Sequence, residues 1–115
     1  MNSVTERHDR AMELAEQAFL ARRQNRPAEA RELSFRAFAL EKQAAEQAQT
    51  EPSRSVLYRS AATLARDCGE YREAERLIAS ALSGNPPEEI AGELRELLDA
   101  VYAAWGIRTQ KAPAT

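Results

Sequence analysis

The chain has 115 residues, 43% of them hydrophobic and 30% charged, with a net charge of −2. That is enough for one domain with a modest core. No apolar run approaches the roughly 18 residues of a membrane-spanning helix, and the charge balance excludes a global basic field for nucleic acid. The single cysteine, Cys68, rules out an internal disulfide and a Cys-cluster metal site; it is expected as a small apolar filler at a helix end. The amino terminus, MNSVTERHDR, lacks the apolar core of a secretory signal, so the cytoplasm is the expected compartment.

Alanine is abundant and β-branched residues are scarce, a helix-forming composition. Five helices are predicted. The first runs over 3–24, with Ser3 and Glu6 spaced as a capping box and Ala11, Leu14, Ala15, Ala18, Phe19 and Ala21 at helical intervals. Asn25 ends it. Pro27 opens the second, over 27–49, at the first helical position where its missing N–H does no harm. Leu33, Ala37, Leu40, Ala44 and Ala48 form one stripe on it, and Phe35, Phe38 and Ala45 part of another, so this helix is expected to be sandwiched. The third covers 52–68, with Leu57, Ala61, Leu64, Ala65 and Cys68 inward and Gly69 as its stop. The fourth covers 71–83, with Ala74, Leu77, Ile78, Ala81 and Leu82 inward and Gly84 as its stop. The fifth is expected to open with Asn85 as its cap and Pro86 at its first position. It carries Ile90, Leu94, Leu97, Leu98, Val101, Tyr102 and Trp105 up to Gly106. Residues 107–115 have little to bury and are expected to be a disordered tail on a single domain spanning 1–106.

Placing Asn25 on Gly69 superimposes two halves: Ala18 falls on Ala62, Ala21 on Ala65, Ala30 on Ala74 and Ala37 on Ala81. Small residues at these places allow two helices to cross closely. The stretch from Ser55 to Pro86 carries Tyr58, Ala61, Ala62 and Ala65, then Gly69 and Tyr71 at a turn, then Ala74, Ile78, Ala81 and Pro86. In this order it resembles the tetratricopeptide repeat, a helix–turn–helix unit that stacks into protein-binding scaffolds. The resemblance covers residues 11–86 unevenly. In the first unit Leu14 stands for the aromatic, Asn25 for the glycine and Pro27 for the turn tyrosine. The two turns lie 44 residues apart, against about 34 in the regular repeat. Residues 3–49 are also similar to the long hairpin of three-helix modules that bind tails of membrane-remodelling proteins. The resemblance implies an all-α fold: antiparallel hairpins stacked as a short right-handed superhelix of about five helices. The fifth would be a carboxy-terminal cap whose outer face is Glu88, Glu89, Glu93, Glu96 and Asp99.

No constellation for catalysis is visible. His8, the only histidine, sits among Glu6, Arg7, Asp9 and Arg10 and is expected on a solvated face. There is no HExxH, phosphate loop or nucleophile elbow, and the carboxylates alternate with arginines as surface ion pairs do. Neither enzyme activity, a metal nor a cofactor is expected. In the resembled family the first helix of each hairpin lines a groove. That implies Met12, Ala15, Phe19, Arg22 and Arg23 on one side and Val56, Arg59, Thr63 and Arg66 on the other. Phe19, Arg22, Arg23, Arg59, Thr63 and Arg66 are therefore the candidate partner-binding residues, suited to a peptide with an acidic group and an apolar side chain. The alternative reading of these arginines is that they balance local carboxylates and keep the surface soluble. Phe35, Phe38, Tyr102 and Trp105 are the candidates for self-association, with core packing as the alternative for each. The expected function is a non-enzymatic adaptor for a protein or peptide, with no nucleic-acid or membrane partner. The second reading is a homo-oligomeric helical bundle, a homodimer at its simplest.

Overall fold

The computed structural model describes residues 3–107, and among these the chain is all-helical with no strand. The five helices are α1 (Val4–Arg23), α2 (Pro27–Gln47), α3 (Ser53–Asp67), α4 (Tyr71–Leu82) and α5 (Glu88–Trp105). Each packs on its neighbours in sequence, and α5 also returns to α3. The result is a slab of 54 × 38 × 19 Å. Its thin dimension holds two helix layers, each helix being about 10 Å across.

Local chemistry sets most of the helix ends. The Ser3 side chain accepts from the Glu6 amide at 3.0 Å while Glu6 accepts from the Ser3 amide at 2.8 Å, a complete capping box. The two turns predicted at Asn25 and Gly69 have the same geometry. Asn25 has φ +59° and Gly69 φ +82°, both in the left-handed region. In the first turn the Arg26 amide donates to the Ala21 carbonyl, and in the second the Glu70 amide donates to the Ala65 carbonyl, at 2.9 and 2.8 Å. These are the bonds that satisfy the orphan carbonyls at a helix end. Asn manages the left-handed conformation in one turn and Gly in the other, so the internal repetition extends to the backbone.

Several boundaries differ from expectation. α2 stops at Gln47, two residues early, where Ala48 turns extended. α5 begins at Glu88 with Pro87 as its cap, so neither Asn85 nor Pro86 belongs to the helix. The reason is the second proline: Pro87 forces the residue before it into extended geometry, which keeps Pro86 out of a first turn. α4 ends at Leu82 with Ser83 as its cap. Gly84 makes room: a methyl there would collide with the Arg54 guanidinium, which reaches over to the Ser80 carbonyl. Ile107, assigned to the tail, still donates its amide to the Tyr102 carbonyl at 3.0 Å. The rest of the expected tail lies outside the described residues.

The core is built largely from methyl groups. Ala11, Ala18, Ala37, Ala44, Ala45, Ala61, Ala62, Ala65, Ala74 and Ala81 are all 0% exposed, and the equivalents Ala21 and Ala30 nearly so. Leu14, Ile78, Leu94 and Val101 supply the larger buried side chains. Helices that meet at alanine approach toward the short end of the usual 8–10 Å range, which leaves no room for extra methylenes. Ala62→Leu is therefore expected to lower stability by about 1–3 kcal/mol through overpacking. Thermal denaturation followed by circular dichroism checks this, and an unchanged midpoint would mean the α3 crossing is misplaced.

Candidate functional site

Both α1 and α3 pack on α2, and the space between them holds two cavities, one at each end of the pair. The first, of about 360 Å³, is lined by Arg22, Pro27, Ala30, Arg31, Asp67, Cys68, Gly69 and Tyr71. It brings the turn after α1 beside the turn after α3. The second, of about 220 Å³, is lined by Val4, Thr5 and His8 of α1 and Ser53, Val56 and Leu57 of α3. Helix α2 closes the floor between them. Its Ser34 and Glu41 are 1% and 0% exposed, each covered by a side chain from α1. Arg22 Nη1 donates to Ser34 Oγ at 3.3 Å, and His8 Nδ1 lies 2.9 Å from Glu41 Oε2.

Phe19 is 52% exposed at the end of α1, with the Arg23 guanidinium 5.8 Å from its ring centroid. Leu20, beside it, is 47% exposed. Arg22 belongs to the turn-end cavity with Arg31, whose guanidinium occupies the space beside Gly69 that a side chain there would enter. Phe19, Arg22 and Arg23 thus gather where α1 ends. The candidates on α3 are more occupied. Arg59 Nη1 pairs with Glu93 of α5. Arg66 pairs with its neighbour Asp67 at 3.3 Å. The Thr63 hydroxyl donates to the Arg59 carbonyl one turn back at 3.0 Å. Of the α3 arginines, Arg66 lies in the last turn, next to an Asp67 that lines the cavity containing Arg22.

The self-association candidates separate. Phe38 is 5% exposed, so it is core and unavailable for docking; Phe35, edge-on to it at 5.9 Å between centroids, stays 45% exposed. Phe35 borders a cavity of about 400 Å³ with Ala28, Arg31 and Glu32 of α2 and with Cys68 and Glu70 of the turn after α3. Trp105 stacks on Tyr71 at 6.1 Å under the Arg72 guanidinium and is half-buried. It closes the join of α4 and α5. The Tyr102 hydroxyl donates to Glu75 Oε2 at 2.5 Å, and that bond holds its proton on and raises its pKa. Tyr102 also borders an outer cavity of about 610 Å³ with Ile78, Ala79, Leu82 and Leu98.

His8 and Glu41 depart most from expectation. His8 does not lie on a freely solvated face, and Glu41 belongs to no surface ion pair. The Glu41 carboxylate is fully buried, and His8 Nδ1 sits within 3.0 Å of both its oxygens. A signal was present in the sequence: Glu41 stands four residues after Ala37 and three before Ala44, inside the apolar stripe of α2.

Other charges serve the scaffold. Glu73 accepts from Lys42 Nζ at 2.8 Å and from Arg76 Nη1 at 2.9 Å, tying α2 to α4. The bond from Lys42, then that from Arg76, depresses the Glu73 pKa; the same contact raises that of Lys42. Cys68 is 3% exposed, and burial pushes its thiol pKa up, which leaves it a poor nucleophile. Among the described residues no group of three or more His, Cys, Asp or Glu could hold a metal ion, and no helix is long and apolar enough to cross a membrane. No protein-family model, curated protein or solved structure matches this chain.

Proposed function

We propose that this chain is a non-enzymatic protein-interaction module, a short tetratricopeptide-like adaptor acting in the cytoplasm. It takes a peptide or protein partner in the groove between α1 and α3. The observation that carries the reading is the gathering of exposed Phe19 with Arg23 and Arg22 in the last turns of α1, where Arg22 lines an open cavity between those two helices. An apolar ring flanked by guanidinium groups suits a partner with an apolar side chain beside a carboxylate, which Arg receives with two parallel hydrogen bonds. Arg66 joins from α3, whereas Arg59 takes part only after leaving Glu93. The fold read this way is a short right-handed superhelix of two hairpins with α5 as its cap.

A second reading, self-association, is favoured by one observation: Phe35 of α2 is 45% exposed beside the turn after α3. One experiment separates the two. The chain and its Arg22→Glu/Arg66→Glu variant are screened against a displayed library of random peptides, and both are sized by light scattering. The adaptor reading expects peptide capture by the parent, loss of that capture in the variant, and the same mass for both. A dimeric parent that captures no peptide would overturn it in favour of self-association.

A further inference from the structure

Glu41 is the starting point. Pairing rarely returns much more than the cost of desolvating a fully buried carboxylate, and an apolar residue of the same size often serves stability as well. What the pair does accomplish is to fix a ring. When Glu41 is ionised its oxygens only accept hydrogen bonds; His8 Nδ1 is then the donor, and Nε2 is the ring nitrogen outside the pair. The ring is 37% exposed and lines the 220 Å³ cavity between α1 and α3. The other walls are Val4, Val56 and Leu57, with the hydroxyl residues Thr5 and Ser53. At this size the cavity is below the roughly 300–1,000 Å³ of sites that take a whole small molecule, and it has room for a single side chain; an apolar lining with one oriented polar group is the composition such recognition sites share.

We propose that this cavity is the anchor subsite of the groove: it takes an aliphatic side chain of leucine size from the bound peptide, while His8 Nε2 bonds the adjoining peptide group. The proposal rests on the adaptor reading and adds the chemistry of one of its contacts. A peptide group offers both an N–H and a C=O, so Nε2 finds a partner whether or not it is protonated. Because Glu41 sets the ring before the ligand arrives, little side-chain freedom is lost on binding. Glu41 is thus a positioning residue, and His8 the residue that touches the ligand.

The test is a nuclear magnetic resonance titration of the isotope-labelled full chain with N-acetyl-leucine methylamide, using N-acetyl-glycine methylamide as the probe without a side chain. The expected result is a saturable shift of the Val4, Val56 and Leu57 methyls and of the His8 Nε2 resonance. The leucine probe should bind about tenfold or more tighter than the glycine probe, the discrimination that apolar pockets give. Val56→Lys, which leaves the His8–Glu41 pair in place, should abolish the saturable shift. Glu41→Gln should weaken binding and change the nitrogen signature of the His8 tautomer, a readout that a purely structural role for Glu41 would not link to affinity. No saturable shift, equal binding of both probes, or an unaffected Val56→Lys variant would each overturn the proposal. Capture of library peptides by the parent alongside a silent leucine probe would sink the anchor and leave the adaptor reading standing; failure of both would sink both.

Discussion

A chain truncated after Pro87 should lose cooperative folding or associate into larger species. Helix α5 contributes Leu94 and Val101, both 0% exposed, with Ala91 buried and Ile90, Leu97 and Leu98 packed against the core. Burying one such side chain is worth about 1.5–3 kcal/mol. Two of them come to about 3–6 kcal/mol, a large share of the total stability of a small domain, about 5–15 kcal/mol. Removal also uncovers the side of α4 that carries Ile78 and Leu82, next to Leu98 and Tyr102, and strips Tyr71 of the Trp105 ring stacked on it. A stacked array needs a terminal element that is apolar inside and polar outside. α5 has that form, with Glu88, Glu89, Glu93, Glu96 and Asp99 all exposed. Light scattering and a thermal melt check the prediction. A monomeric product with an unchanged melting midpoint would show that α5 is an appendage.

The second large effect is asymmetric. His8→Ala is expected to destabilise the chain by about 3 kcal/mol, because it strands the buried Glu41 carboxylate without its partner. The figure sits at the lower edge for broken buried pairs since the His8 ring is 37% exposed and water can follow it inward. Glu41→Leu should cost much less: the ring it releases can turn to solvent, and an apolar side chain suits a site among Ala37, Ala44 and Ala45. The double change His8→Leu/Glu41→Leu should recover most of the loss. Chemical denaturation of the three variants measures the order. Equal losses for the two single variants would mean that the pair acts through general packing and not through an uncompensated charge.

These two predictions mark what the sequence made legible and what it did not. The ends of α1 and α3 could be read because their causes are local. Ser3 and Glu6 lie three residues apart, and Asn25 and Gly69 each do alone what the turn requires. The buried faces of α3 and α4 followed from spacing, since apolar residues at helical intervals must turn inward together. The start of α5 was misplaced because two rules met at Pro86 and Pro87, and the restriction imposed by the second proline prevailed. The His8–Glu41 contact spans 33 residues and depends on the register of α1 against α2, which no local pattern encodes. The candidate site was legible in part for the same reason. Phe19, Arg22 and Arg23 share one turn of one helix, so their gathering could be foreseen. Whether Arg59 stood free depended on Glu93 of α5, whose approach is a matter of tertiary packing.

The alanine seams also determine how such a chain can change over evolutionary time. A site that admits one methyl group rejects nearly every replacement: glycine loosens the helix, and anything larger wedges the rods apart. The outward residues are under no such limit. Divergent descendants of this chain should therefore exchange almost their whole exterior while retaining a bare rhythm of alanines, and it is by that rhythm that they would be recognised.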